Sequence, residues 1–256
     1  LGSFTALLIA GALGVYGFPA GGILIVAALA AIVWCSAYGY TLEKVAYKPL
    51  RGAPRLSPLI SAIGMSIFLQ NYVLLAQTSD FVPFPNLLPE MDFLEHIDYV
   101  MGASDFLILM VSTFAMVSLS LFIRYTRMGK AMRATAQNRK MALLLGINAD
   151  RIISLTFIIG SALAALGGVL IASHMGQVNF GIGFLAGLKA FTAAVLGGIG
   201  SIPGAMVGGL VLGLAESFTT GYFSGNYEDM LAFGILILIL IFRPDGILGK
   251  ATVQKV

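Results

Sequence analysis

The chain has 256 residues, of which 58% are apolar and only 11% are charged. A soluble domain carries about 25% charged residues, and the mean hydropathy of this chain is +0.93. These values exclude a disordered chain, a basic nucleic-acid-binding domain and an ordinary soluble enzyme. Lipid is therefore the solvent expected for most of the chain. The net charge is only +3, so the placement of the charges says more than their sum.

The first apolar run occupies residues 1–13, with neither an initiator Met nor a signal peptide of the usual form before it. We expect from this start that the chain is truncated at its N-terminus and that at least one membrane helix is missing with the upstream sequence.

Further apolar runs have the length of about 20 residues that spans a bilayer. Four of them contain no charge, at 20–42, 56–76, 106–123 and 152–173. A longer run at 180–215 is split at the Gly- and Pro-containing segment 200–204, and a short run follows at 230–242. The pattern predicts an all-α polytopic transmembrane helix bundle of about seven membrane helices.

Charges outside these runs indicate the orientation. Segments 43–55 and 124–151 and the tail after the last run are basic, whereas 77–105 has six acidic residues and no Lys or Arg. The positive-inside rule places basic loops in the cytoplasm. We therefore expect a single transmembrane domain over residues 1–256, with an extracytoplasmic loop at about 77–105, a cytoplasmic loop at about 124–151 and a cytoplasmic C-terminus.

A weak internal repeat relates the start of the chain to its last third. The residues Leu1, Phe4, Thr5, Ala6 and Gly11 match Leu188, Phe191, Thr192, Ala193 and Gly198. An odd number of crossings separates the two copies, so they would form an inverted repeat, an architecture known in transporters. The alternative is chance similarity between helices rich in Gly and Ala.

Motifs of enzymatic chemistry are missing from the sequence. It has no Walker A pattern and no nucleophile elbow, and His96 and His174 have no metal-ligand spacing around them. We expect no catalytic residue, no metal and no cofactor. Two functional classes remain: a channel or carrier that works alone, and the membrane subunit of a larger machine.

The loop 124–151 is long for a simple connection between membrane helices. Residues 129–145 have no Pro and no internal Gly, and Gly146 stands where the glycine after a helix is expected. We predict one short helix with a basic side, including Arg133 and Lys140, and an apolar side. The helix could contact a cytoplasmic partner or only anchor the loop by its charges, and the residues alone leave both interpretations open.

This loop also carries a resemblance to a known family. Its sequence Arg127-Met-Gly129-Lys-Ala-Met-Arg133-Ala134, followed by Asn138, Ala142 and Leu145-Gly-Ile-Asn148, resembles the coupling loop of LivH-type permeases of branched-chain amino-acid ABC transporters. Segments 37–40, 45–49, 59–72, 189–204 and 244–249 resemble the same permeases. The similarity is weakest at 77–105. Such permeases open with a further membrane helix, in agreement with the expected truncation.

The resemblance implies a permease subunit of an ATP-driven importer of branched-chain amino acids in the bacterial inner membrane. It implies as partners a second homologous permease, two cytoplasmic ATPase subunits that hydrolyse the ATP, and an extracytoplasmic substrate-binding protein, without nucleic acid. The residues it assigns to the ATPase-coupling loop are Gly129, Arg133, Ala134, Asn138, Gly146 and Asn148. The alternatives are a related importer for urea or amides and a stand-alone channel or secondary carrier. Against the last, we expect no carboxylate within the helices to bind a coupling ion.

Uncharged polar residues in membrane helices are candidates for the transport path. We consider Gln70 and Asn71 for its entrance, with interhelical hydrogen bonding as the alternative. Gln177, Asn179 and Thr192 are further candidates, although Thr192 and the glycines after it also suit helix packing.

Lys189 is the one basic residue inside an apolar run. Its ammonium group could meet a substrate carboxylate, pair with Glu216 or reach the membrane surface. We place pairing and the membrane surface ahead of substrate contact.

Overall fold

The computed structural model of the protein describes residues 1–15, 19–52, 54, 57–85, 102–198, 200–243 and 245–249. The α-helices are α1 Gly2–Val15, α2 Ala20–Leu42, α3 Ser57–Ala76, α4 Ala103–Tyr125, α5 Arg127–Gln137, α6 Arg139–Leu144, α7 Ala149–Met175, α8 Ile182–Gly197, α9 Ile202–Tyr222 and α10 Glu228–Phe242. A π-helical turn, Glu43–Tyr47, continues α2, and 3-10 turns occupy Pro49–Gly52 and Gly225–Tyr227. The short strands β1, Val82–Pro83, and β2, Gln177–Val178, pair antiparallel.

The helices confirm the expected polytopic bundle. In the part of the chain that the structure describes, five helices are long and apolar enough to cross a membrane, namely α2 with its π-helical turn, α4, α7, α9, and α10 with the 3-10 turn before it. Three shorter apolar helices, α1, α3 and α8, bring the number of apolar helices within the described ranges to eight. The eight helices correspond one to one with the apolar runs of the sequence once 180–215 is counted as two, so the expected total of about seven was one too low. The split expected at 200–204 is present, because α8 ends at Gly197 and α9 begins at Ile202.

The chain divides into two compact units, unit 1 at Leu1–Ile182 and unit 2 at Gly183–Val256. In unit 1, α2 packs against both α1 and α7. Small side chains fill this contact: Ala27, Ala31 and Ala172 have no exposed surface. A Cβ atom at Gly39 would overlap Ser161 of α7, so glycine allows these two helices to approach closely.

Unit 2 is built on a close contact between α8 and α9. A side chain at Gly208 would overlap the carbonyl oxygen of Ala193, and one at Gly204 would overlap that of Gly197. Of the glycines after Thr192 that were expected to suit helix packing, Gly204 and Gly208 therefore do so, whereas a Cβ atom at Gly213 would meet no described atom within 4 Å. The end of α8 is held further by the tail, whose Ile247 amide donates to the Leu196 carbonyl at 2.9 Å.

Many large apolar side chains lie on the outside of both units. Leu75 is 84% exposed and Phe114 is 74% exposed. In water such surfaces would cause aggregation, but in a bilayer they contact lipid chains that are as apolar as they are. The exposure therefore fits a chain whose surroundings are a membrane.

The two segments of the possible repeat share one detail. The hydroxyl groups of Thr5 and Thr192 each donate to the carbonyl four residues earlier, both at 3.0 Å. The two segments differ in the burial of their phenylalanines, because Phe4 is 3% exposed and its counterpart Phe191 is 57% exposed. The inverted arrangement stays a prediction.

Candidate functional site: the coupling segment and two charge clusters

The segment expected to form one short helix forms two, α5 and α6. Asn138 separates them with an extended backbone (φ −154°, ψ 105°), and its side-chain oxygen accepts a hydrogen bond from the Met141 amide at 3.1 Å. The prediction of a single helix over 129–145 is therefore wrong at this position. Asn is among the residues preferred before the first turn of a helix, because its side chain satisfies a free backbone amide there.

A tight corner joins α4 to α5. The Thr126 hydroxyl accepts a hydrogen bond from the Gly129 amide at 3.0 Å and caps α5. Gly129 is buried, and a Cβ atom at this position would overlap the backbone of Ile123. A glycine is therefore required for the chain to fold back so sharply on the end of α4.

The end of α6 confirms the role predicted for Gly146, whose φ of +79° is the left-handed conformation that glycine adopts easily. The Ile147 amide donates to the Ala142 carbonyl and the Gly146 amide to the Leu143 carbonyl, both at 3.0 Å, which is the Schellman arrangement. Asn148 then caps α7 by accepting from the Arg151 amide at 3.2 Å. Caps thus fix both ends of the coupling segment, residues 126–148.

The outer surface of the coupling segment combines basic and large apolar side chains. Arg133 and Asn138 are exposed, whereas Ala134 is half-buried. Leu144 and Leu145 are 82% and 78% exposed. Loops of soluble proteins seldom expose two adjacent leucines, and such a patch beside positive charges is typical of a contact surface.

A cluster of charged groups, here termed the basic-end cluster, joins the coupling segment to the membrane helices. Its members are Glu43, Arg51, Arg139, Asp150 and Ser154. Arg51 pairs with both Glu43 and Asp150, and Arg139 pairs with Asp150 at 2.8 Å. The Ser154 hydroxyl donates to Glu43 at 2.6 Å, and the Glu43 side chain has no exposed surface.

This cluster was not predicted from the sequence. Glu43 and Arg51 lie in a segment whose excess of positive charge indicates only the side of the membrane on which it lies. The available signal was Glu43 itself, a single carboxylate placed where a long apolar run ends and beside four basic residues of 43–55. A carboxylate in that place needs a partner, because burial of an unpaired charge costs several kcal/mol.

A second cluster, termed the Lys189 cluster, lies within unit 2. Lys189 Nζ is 3.3 Å from Glu216 Oε1 and 3.3 Å from Asp229 Oδ1, and it also pairs with Glu228. Of the interpretations considered for Lys189, the pairing with Glu216 is present in the structure. The expectation that no carboxylate lies within the helices is wrong, because Glu216 is in the interior of α9 and only 17% of its side chain is exposed.

The polar residues considered for the transport path have local partners. Gln70 Nε2 donates to the Ser66 hydroxyl at 3.3 Å, and Asn71 Nδ2 donates to the Ile67 carbonyl at 2.9 Å. Asn179 Oδ1 accepts from the amide of Ile182 at 2.8 Å, so that it caps the start of α8.

Two further candidates for the path are Gln177 and Thr192. Gln177 is exposed and lies opposite Pro83 in the two-stranded sheet. Thr192 is completely buried, and its hydroxyl donates to the Leu188 carbonyl. Within the described residues, no group of three or more His, Cys, Asp or Glu side chains is arranged to hold a metal ion.

Residues 1–240 match the model of the family described as branched-chain amino acid transport system / permease component. The chain belongs to this family and is therefore a multi-pass membrane permease component. It is 51% identical to the high-affinity branched-chain amino acid transport system permease protein LivH of Escherichia coli K12, over all of this chain and 84% of that protein. It is 52% identical to the corresponding protein BraD of Pseudomonas aeruginosa, over all of this chain and 85% of that protein.

More distant relatives include the autoinducer 2 import system permease protein LsrC of Yersinia enterocolitica. It is 31% identical over 55% of this chain and 40% of its own length. No solved structure matches the chain significantly.

Proposed function

We propose that the protein is the membrane-spanning permease subunit of an ATP-driven importer of branched-chain amino acids in the bacterial inner membrane. Support comes from the relatives named for this transport that are 51% and 52% identical over the whole chain. ATP is hydrolysed by two cytoplasmic partner subunits in this proposal, and a second homologous permease and an extracytoplasmic substrate-binding protein complete the importer.

The coupling segment is the proposed contact surface for an ATPase subunit. Its exposed Leu144 and Leu145 supply apolar area, and Arg133 and Asn138 supply polar contacts around it. Protein interfaces combine an apolar centre with a polar rim in this way. The excess of basic residues in 124–151 supports a cytoplasmic location by the positive-inside rule, and the same rule supports a cytoplasmic C-terminus.

The basic-end cluster is the observation that carries the coupling proposal. Arg139 belongs to α6, Asp150 begins α7, and Arg51 connects Asp150 to Glu43 at the end of α2. A displacement of α6 by an ATPase would therefore act on α2 and α7 through paired charges as well as through the chain. For such a movement to be driven, the partner must bind the segment more tightly in one state than in the other.

The transport path is proposed from uncharged polar residues. Gln70, Asn71, Gln177 and Asn179 remain proposals for an entrance. For Lys189 and Thr192 we propose pairing and packing within unit 2, since each already has its partners there.

The substrate proposal is tested by uptake of radiolabelled leucine into cells that produce the chain together with its partner subunits. Unlabelled isoleucine and valine should compete with leucine, and urea should not. Competition by urea that equals that of isoleucine would contradict the proposed substrate class.

The coupling proposal is tested with the combined substitution Arg133→Glu and Asn138→Ala. The first reverses a charge on the contact surface, and the second removes the cap of α6. We expect the ATPase subunit to be lost from the purified complex and leucine uptake to fall, while Arg243→Gln, which changes an exposed basic residue outside the segment, changes neither. Intact uptake in the combined variant would contradict the proposal.

A further inference from the structure

A cavity of about 420 Å³ lies beside the basic-end cluster, between the π-helical turn after α2, the start of α5 and the first turns of α7. Its volume is within the range of about 300–1,000 Å³ that is typical of ligand sites. The basic side chains that line it are Lys44, Lys48 and Arg151, and all three are exposed. The cavity belongs entirely to unit 1.

Three positive charges of the cavity wall have no counter-charge among the described residues. Two carboxylates, Glu43 and Asp150, also line the cavity, but Arg51 and Arg139 are paired with them. None of Lys44, Lys48 and Arg151 forms an ion pair within the described ranges, and the ammonium group of Lys44 lies 4.5 Å from the centre of the Tyr40 ring. The cavity therefore attracts an anion.

The lining changes from basic to apolar along the helix axes. Arg151 lies in the first turn of α7, and Leu155 and Ile158 follow on the same wall one and two turns further into the helix. The distance along the helix from residue 151 to residue 158 is about 10 Å. Lys44 lies in the π-helical turn after α2, and Tyr40 lies one turn before it, in α2 itself and closer to the apolar part of the helix. A ligand with a negatively charged group at one end and an apolar chain at the other would match the basic end and the apolar end of this cavity.

We infer that this cavity binds the headgroup of an anionic phospholipid, with the phosphate between Lys44, Lys48 and Arg151 and the start of the acyl chains against Leu155 and Ile158. Basic pockets between membrane helices are known to hold anionic lipid headgroups. A free phosphate ion would use the basic end alone and would leave the apolar end unexplained. The inference does not depend on the transported substrate.

The site has a consequence for coupling, because Met128 of α5 forms part of its wall. A bound headgroup contacts α5, the end of α2 and the start of α7 together. Anionic lipid should therefore hold the first turn of the coupling segment against the membrane helices. We expect uptake in reconstituted vesicles to increase with the anionic lipid content.

The test measures binding of phosphatidylglycerol to the purified transporter, with its partner subunits, in nanodiscs of phosphatidylcholine, by native mass spectrometry. Each basic residue close to a membrane surface contributes about a fivefold change in affinity, so the triple substitution Lys44→Gln, Lys48→Gln and Arg151→Gln should weaken binding about a hundredfold. The matched control Arg243→Gln removes one exposed charge outside the cavity and should leave binding unchanged. Equal binding by the triple variant and the wild-type protein would overturn the inference.

Two further measurements keep the test decisive if the triple variant does not fold. Leu155→Trp fills the apolar end without changing charge and should also weaken the binding of phosphatidylglycerol. In the wild-type protein, phosphatidylglycerol should raise the melting temperature and inorganic phosphate should not. An unaffected Leu155→Trp variant, or equal stabilisation by inorganic phosphate, would show a phosphate site instead of a lipid site. The transported substrate is tested by a different experiment, the competition of leucine uptake by isoleucine, valine and urea. Absence of lipid binding would therefore contradict this inference without contradicting the proposed function.

Discussion

The basic-end cluster and the Lys189 cluster each bring charges from several helices together, but their balance differs. In the basic-end cluster two arginines face two carboxylates, and the Glu43 side chain is completely buried. In the Lys189 cluster one lysine faces three carboxylates, and 52% of the Asp229 side chain is exposed. The completely buried carboxylate of Glu43 requires a full counter-charge, whereas the two surplus negative charges of the Lys189 cluster are screened by water, which reaches all three of its carboxylates. We infer that the basic-end cluster holds its helices firmly in one arrangement, and that the Lys189 cluster holds α8, α9 and α10 together less firmly.

The strongest test of this comparison is Arg51→Gln. The substitution leaves Glu43 buried without its main partner, and we expect the free energy of unfolding to fall by about 3–5 kcal/mol. The measurement is denaturant-induced unfolding of the purified protein in mild detergent. Glu43→Gln combined with Arg51→Gln should recover part of the loss, since no buried charge is then unpaired. A change of less than about 0.5 kcal/mol, as for an ordinary surface substitution, would mean that the cluster does not hold its helices firmly.

Lys189→Met should have a smaller effect of about 1–3 kcal/mol, because the carboxylates that lose their partner are still in part hydrated. The same unfolding experiment measures it. At 1 M salt the Debye length is about 3 Å, so repulsion among the carboxylates should weaken and the defect should shrink. Lys189→Arg retains the charge and serves as the control. A loss as large as that of Arg51→Gln, and independent of salt, would remove the distinction between the clusters.

Asn138→Ala should lower the free energy of unfolding by about 1 kcal/mol, because it removes a helix cap. Its main effect should be local: α6, which holds Arg139 beside Asp150, frays more readily. Hydrogen exchange should accelerate at the hydrogen-bonded amides of 141–145, and Asn138→Asp, which keeps the capping oxygen, should not show this. Unchanged exchange in the alanine variant would indicate that packing, not the cap, positions α6.

Arg139→Gln should have the smallest effect on stability, about 0–1 kcal/mol, since both partners of its ion pair are about half exposed. Leucine uptake should nevertheless fall, because the substitution removes the ion pair between α6 and α7 while the rest of the basic-end cluster stays intact. Arg243→Gln is the control for the loss of one basic residue. Normal uptake by Arg139→Gln would show that the connection through Asp150 does not transmit the movement of α6.

Much of the fold follows from hydropathy alone. Every apolar run of the sequence corresponds to a helix, and the break at 200–204 was visible from Gly and Pro, where Ser201 indeed caps α9. The boundary of α2 was harder to predict, because Glu43 and Lys44 indicate the end of a membrane helix, yet the chain continues through a π-helical turn to Tyr47. Charge marks where a helix leaves the lipid and does not mark where it stops being helical.

The charge clusters could be predicted from the sequence only where a charged residue interrupts an apolar run. They could not be predicted where the partners are far apart along the chain. Lys189 stood alone in an apolar run, so pairing with Glu216 was one of the interpretations that the sequence offered for it. Glu43 and Ser154 are 111 positions apart, and nothing local in the sequence relates them. The break at Asn138 was also missed, because the helix-forming residues on both sides suggested continuity and the capping preference of one Asn was given too little weight.

The π-helical turn Glu43–Tyr47 has a further consequence for how the chain tolerates insertions and deletions. In it the Lys48 amide donates to the Glu43 carbonyl five residues earlier, at 2.8 Å, so the turn accommodates one residue more than an α-helical turn would. Removal of a single residue here can therefore be absorbed by a return to regular α-helical winding, and Arg51 would keep nearly the same orientation towards Glu43. The same deletion within a regular α-helix would rotate everything after it by about 100° about the helix axis. This short stretch is therefore the part of the helix in which the loss of one residue should disturb its partners least.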